Sequence, residues 1–271
     1  MEVEKKKNNT KDIIIIFLVA LVFGFAGYFV TDKLMNQKPK NNEQTTKEEK
    51  EKSSKKDSKK EEKEENVTFS DNDLEKYVNY ITPVSIGPSE LLFNADSISS
   101  EKLSTSEKIQ YIGSMVYEKA TSSENYEYSI IKESDVKETV EKVYGPNTYE
   151  KAEFRLGCGP YELREDGSYY SRTGCGGATA TTSKNIVIDY KATKKELEIT
   201  TAYAFHDGMT NKIYKDFKLE TSLEDYSGEN PENYLSNYIK TNKEKLNHLV
   251  YTFESDDGKN YYFKELVNQK N

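Results

Sequence analysis

Residues 197–205, LEITTAYAF, alternate Leu197, Ile199, Thr201, Tyr203 and Phe205 with Glu198, Thr200, Ala202 and Ala204. A period of two sends the two sets to opposite sides of a β-strand. The run therefore predicts a strand with one buried and one open face, the pattern of an antiparallel sheet. Three Asp-Gly pairs, at 166–167, 207–208 and 257–258, sit between β-rich runs and predict hairpin turns.

Helical spacing occupies the flanks. Ser70 or Asp71 is placed to cap a helix carrying Leu74, Tyr77, Val78 and Ile81 at i, i+3, i+4, i+7. Ser104 and Glu107 form a capping-box pattern ahead of Ile109, Ile112, Met115 and Val116. Ser134 precedes Val136, Val140, Val143 and Tyr144, and Gly145-Pro146 stops that helix. Asn230-Pro231 reads as N-cap and first helical residue before Leu235, Tyr238 and Ile239. Helices, a meander, one more helix and a closing hairpin make the fold class α+β, with helices packed on one face of a curved antiparallel sheet.

The two cysteines lie in FRLGCGPYELREDGSYYSRTGCGG, residues 154–177. A two-residue turn at Asp166-Gly167 pairs residues whose numbers sum to 333, which sets Cys158 opposite Cys175 at a non-hydrogen-bonded position. Cα atoms there are about 4.5 Å apart, within disulfide range. A three-residue loop with Gly167 in a bulge changes the sum to 332 and sets Cys158 against Gly174. The expected pairing is the Cys158–Cys175 disulfide.

The Cys158-Gly159 to Cys175-Gly176-Gly177 segment, the strand block ending in AYAF and the YTFESDDGKNYYF hairpin carry a resemblance. Together they resemble uncharacterised single-pass, membrane-anchored extracytoplasmic proteins of AT-rich Gram-positive bacteria. The order of elements is also loosely similar to cystatin-like and NTF2-like sheets. These motifs are structural, and the resemblance implies no activity.

Ahead of the domain, Ile13 to Val30 is an 18-residue run without charge, and Lys5, Lys6, Lys7 and Lys11 precede it. At about 1.5 Å per residue it approaches the hydrocarbon thickness of a bilayer. A short basic head before such a run predicts an uncleaved signal-anchor, with residues 1–12 cytoplasmic and the C-terminal domain outside the cell membrane. Ala20 and Gly24 form a small-xxx-small pair with Gly27 one turn further on, a spacing that lets two membrane helices approach closely, although Gly and Ala are also simply common in membrane helices.

Residues 31–66 hold eleven Lys against ten acids and almost nothing apolar, the composition of a disordered charged linker. Residues 67–271, the expected extracytoplasmic domain, retain 24 Lys plus Arg against 34 Asp plus Glu, about −10. Such a body is a poor partner for nucleic acid and is repelled by anionic lipid or wall polymer.

Candidate chemistry is sparse. His206 precedes a turn on the polar side of its strand and reads as solvated; His248 reads as structural. Asp256-Asp257-Gly258 lacks the ligand ladder of a calcium loop and reads as a tight turn. There is no Gly-rich phosphate loop and no GxSxG elbow. No catalytic, cofactor-binding or metal-ligating residue is assigned, and no cofactor is expected. The expected function is a non-enzymatic module that binds or scaffolds an envelope protein or wall component. The alternatives are an envelope hydrolase using carboxylates and a sensor acting through a membrane partner.

Overall fold

A computed structural model describes residues 65–271, apart from 86–87, 158 and 174–178. The run Ile13–Val30, nearly all of the linker, Cys158 and Cys175 lie outside the described residues. Among the described residues, no helix is long and apolar enough to cross a membrane.

The fold is α+β, built on antiparallel sheets. The LEITTAYAF run lies within β8 (Glu196–Asp207), the spine of the larger sheet. Strand β7 (Thr181–Ala192) follows one edge of β8 over its length. The other edge is shared by β11 (Asn247–Glu254), which pairs with residues 196–203, and β9 (Lys212–Tyr214), which pairs with 205–207. Beyond them come β12 (Tyr262–Gln269) and β1 (Ser97–Ser99) on one side and β10 (Ser222–Asp225) on the other. A second sheet runs β2 (Thr121–Ser122), β3 (Tyr128–Lys132), β6 (Ser168–Arg172), β5 (Gly159–Leu163), β4 (Phe154–Leu156). Asp166-Gly167 and Asp257-Gly258 fall in connections between paired antiparallel strands, and Asp207-Gly208 spans the end of β8 and the start of its connection to β9.

The odd-numbered face of β8 buries Leu197, Ile199, Tyr203 and Phe205 in the main core, joined by Tyr161 and Tyr169 from the second sheet. Helix α1 (Asp71–Tyr80) contributes Leu74 and Val78, and Ser70 caps it by accepting from the Asp73 amide. The short helix α2 (Glu90–Phe93) adds Leu92 and Phe93. Lacking Trp, this core is filled by Tyr and Phe in edge-to-face contact, such as Phe93–Phe205 at 5.1 Å. Its buried phenols are satisfied: Tyr203 donates to Asn268 at 2.9 Å, and Asn268 donates in turn to the Phe93 carbonyl.

Several expectations are corrected. The helices do not keep to one face. The last, α6 (Pro231–Asn242), covers the even-numbered face of β8 with Leu235 and Ile239, in a second core that includes Ala202, Ala204 and Ile213. Two alanines leave room for a helix close to the strand, so the supposedly open face is closed over its second half. The Ser104–Glu107 capping box is present, but its helix breaks into α3 (Thr105–Tyr111) and α4 (Gly113–Tyr117). At the break the Ser114 amide bonds the Thr82 carbonyl. A Cβ on Gly113 would lie 3.0 Å from the Val84 nitrogen and 3.1 Å from Leu156 Cδ2, so a side chain there crowds both neighbours. Helix α5 (Glu133–Tyr144) starts one residue before Ser134, and Lys132 is its N-cap position with no side-chain bond.

The register of the cysteine-bearing hairpin also differs. Glu162 pairs with Tyr170 and Leu163 with Tyr169, so the sum is 332, not 333. The reason is the turn: the Gly167 amide bonds the Arg164 carbonyl, and the Arg164 amide bonds Ser168. Gly167 sits at φ 77°, and Asp166 accepts from the Ser168 amide. The one-residue slip removes the register argument that set Cys158 opposite Cys175.

Candidate functional site

A cleft of about 560 Å³ opens between the end of α5 and the mouth of the β11–β12 hairpin. Its walls are Tyr144, Gly145, Pro146 and Thr148 on the helix side, with Ser100, Glu101 and Lys108 beside them. Opposite stand Glu254, Asp256, Asp257, Tyr262 and Lys264.

Local sequence builds both walls. Gly145 ends α5 at φ 97°, and the Tyr262 ring lies against it; a Cβ there would be 3.5 Å from the ring. Thr148 ties the turn down by donating to the Gly145 carbonyl at 2.6 Å. Tyr144 is buried and donates to the Lys108 carbonyl at 3.1 Å, and burial pushes its phenol well above the usual range. Lys108 Nζ sits 5.7 Å from the Tyr144 ring centre.

On the far wall Asp257 knots the hairpin turn. Its carboxylate accepts from the Lys259 and Asn260 amides at 2.8 Å and from Asn260 Nδ2 at 2.6 Å. Those bonds, led by the Asn260 and Lys259 amides, hold its carboxyl far below the ordinary range. Lys264 falls at a register shift between β11 and β12, where its ammonium pairs with Glu101 and lies 3.5 Å from Glu254. The Lys264 side chain lowers the Glu101 carboxyl, and Glu101 raises the Lys264 ammonium.

Formally the cleft carries two cations and four anions. Asp257 is committed to its turn and Lys264 to its two glutamates. A half-buried aromatic ring, Asp256, the outer part of Glu254 and Lys108 remain to meet a ligand. Such a surface suits hydroxyl- or amine-bearing groups. Among the described residues, every carboxyl that departs clearly from its usual range moves down.

The residues weighed in the sequence fall as follows. Asp256-Asp257-Gly258 is a tight turn on the cleft rim, and no described group of three or more His, Cys, Asp or Glu could hold a metal ion. His248 Nε2 meets the Lys243 carbonyl at 2.9 Å, a structural contact. His206 is not solvated. It is 6% exposed, its ring lies 4.3 Å from that of Tyr226, and neither ring nitrogen has a hydrogen-bond partner. The correction has the same cause as the closed face: α6 and the chain after β10 cover the side of β8 that carries His206. The spacing Ala202, Ala204, His206 was the available signal, two small residues where a solvated strand favours larger polar ones. The sequence also hides the cleft, since its walls come from segments more than 100 residues apart.

No family model, curated protein or solved structure matches the chain.

Proposed function

We propose that the chain is a membrane-anchored, extracytoplasmic binding module of the cell envelope, and that its ligand is a polar envelope component held in the cleft between α5 and the β11–β12 hairpin. The observation that carries this reading is the cleft itself. It sets the Tyr262 ring, braced on Gly145, beside the acceptors Asp256 and Glu254. An aromatic face with a few convergent polar groups is the common form of a small binding site. Ile13–Val30 and the lysines before it supply the anchor, and residues 31–66 supply a spacer of roughly 30–36 Å r.m.s. reach.

The test is a binding screen of the domain against soluble wall glycans and wall peptides. Saturable binding is expected, weakened at least ten-fold by Tyr262→Ala with thermal stability nearly unchanged. Turnover of a wall substrate, abolished by a single Asp or Glu substitution, would contradict the reading and support a carboxylate hydrolase.

A further inference from the structure

A second cavity, of about 270 Å³, lies over the side of the larger sheet that carries the odd-numbered residues of β8. Asn185 of β7 and Tyr251 of β11 form its floor, and the ends of α1 and α2 stand above them. It shares no lining residue with the cleft at the end of α5. Val78, Ile81, Leu92 and Phe93 make its walls apolar. Among its described lining residues the one charged side chain is Lys184, whose ammonium pairs with Glu232 of α6 at 3.1 Å.

A chain of hydrogen bonds crosses the floor and fixes one amide. Thr201 donates to the Leu249 carbonyl at 3.2 Å, which leaves its oxygen to accept from the Tyr251 hydroxyl. The Tyr251 oxygen in turn accepts from Asn185 Nδ2 at 3.0 Å. Turning the amide over would need the phenol's one hydrogen, which Thr201 already takes. Asn185 Oδ1 is therefore the loose end of the chain, a buried acceptor without a hydrogen-bond partner. On the facing side Ser89 is 8% exposed, and its hydroxyl makes no bond to the helix it precedes. Its carbonyl serves the Leu92 and Phe93 amides instead, each at 3.1 Å. An uncommitted acceptor on the sheet thus faces an uncommitted hydroxyl on the helix side, between apolar walls.

We infer that this cavity binds a neutral ligand through a secondary amide. The ligand's N–H donates to Asn185 Oδ1, its carbonyl accepts from the Ser89 hydroxyl, and its apolar substituent packs on Leu92 and Phe93. Three observations select that chemistry. The only charged side chain in the lining is already paired, so a charged ligand would be buried without a counter-charge. A hydroxyl donates and accepts from a single atom, whereas a trans amide does so from opposite sides, as groups on facing walls require. The volume falls just short of the roughly 300–1,000 Å³ of pockets for drug-sized ligands, so it suits one substituted amide and not a polymer. The acetamido group of a sugar and the blocked end of a peptide are the two sources of that group. The inference is independent of the ligand proposed for the α5 cleft.

The test is fluorine NMR of para-fluoroacetanilide with the full-length chain in detergent micelles, empty micelles serving as the blank. Saturable binding is expected. The N-methyl analogue, which keeps the carbonyl and loses the donor, should bind about 10-fold more weakly or worse, because it leaves Asn185 Oδ1 bare. Asn185→Leu should abolish the difference between the two compounds, and Ser89→Ala should weaken both. Ser89→Ala removes a single hydroxyl, so it keeps the test readable if Asn185→Leu does not fold; thermal melts of each variant check this. N-acetylglucosamine and N-acetylalanine methylamide are then used as competitors. Displacement of the fluorinated probe by the first names a sugar as the source, and by the second a peptide. Equal binding of the probe and its N-methyl analogue overturns the proposal. So does binding that Ser89→Ala leaves unchanged, which places the probe elsewhere on the chain. No saturable binding of any of these amides also overturns it, and an ordered water is then the partner of Asn185.

Discussion

Asp257 and His206 mark the two ways a polar side chain is accommodated here. Asp257 is exposed to solvent yet has its carboxylate saturated by the turn it organises, and its folded pKa is depressed. A depressed carboxyl stabilises the fold above its unfolded range, near pH 4, and that stabilisation is lost as pH falls through the lower folded value. Asp257→Asn should lower the melting temperature by a few degrees at pH 7 and lose part of the decline seen below pH 4. Thermal melts of both proteins from pH 7 to 2 check this; parallel curves would show that Asp257 does not organise the turn.

His206 is the opposite case, buried with both ring nitrogens unpartnered. Such a group costs about 1–3 kcal/mol relative to an apolar group of the same shape. His206→Phe should therefore leave stability unchanged or raise it by up to about 2 kcal/mol in urea denaturation. A loss above about 1 kcal/mol would mean that the ring nitrogens hold buried water or a ligand.

Helix α6 is the element that most changed the architecture read from the sequence. Asn230 accepts from the Asn233 amide at 3.0 Å, and Pro231 follows at the first helical position, so the helix itself was legible. What it covers was not. Period-two alternation tells which residues share a face of β8, but cannot tell whether that face meets water or a helix that begins 24 residues after the strand ends. Ile239→Ala should cost about 2–4 kcal/mol by opening a cavity over Ala202 and Ala204. Asn230→Ala should cost only about 1 kcal/mol. Chemical denaturation with hydrogen exchange on β8 would check both. An Ile239→Ala loss under 1 kcal/mol would mean that α6 is loosely seated.

The same limit separates what could and could not be read elsewhere. Local signals, the Ser70 and Ser104 caps and the Asp-Gly turns, appear where the residues placed them. Relations between distant segments do not follow from periodicity. The Ser114 amide bonds the Thr82 carbonyl, and the Tyr262 ring lies against Gly145. The cleft was therefore invisible in the sequence, although the Gly145-Pro146 stop and the Asp257 turn that frame it were both legible.

At the scale of the whole molecule, the proposed function makes residues 31–66 a polar tether to the folded domain. The domain begins near Glu65, which pairs with Lys194; Asn66 bridges to Thr193, and the Val67 amide bonds Ala192 at 3.1 Å. Upstream, residues 31–60 carry ten lysines and almost no apolar side chain, so they offer trypsin many sites and nothing to dock. Brief trypsin treatment of intact cells, followed by mass spectrometry of the supernatant, tests the central claim most directly. The account predicts release of a folded fragment beginning at Glu61 or Glu64, after cleavage at Lys60 or Lys63, with the melting temperature of the untreated ectodomain. A domain that stays protected until the cells are lysed would contradict it.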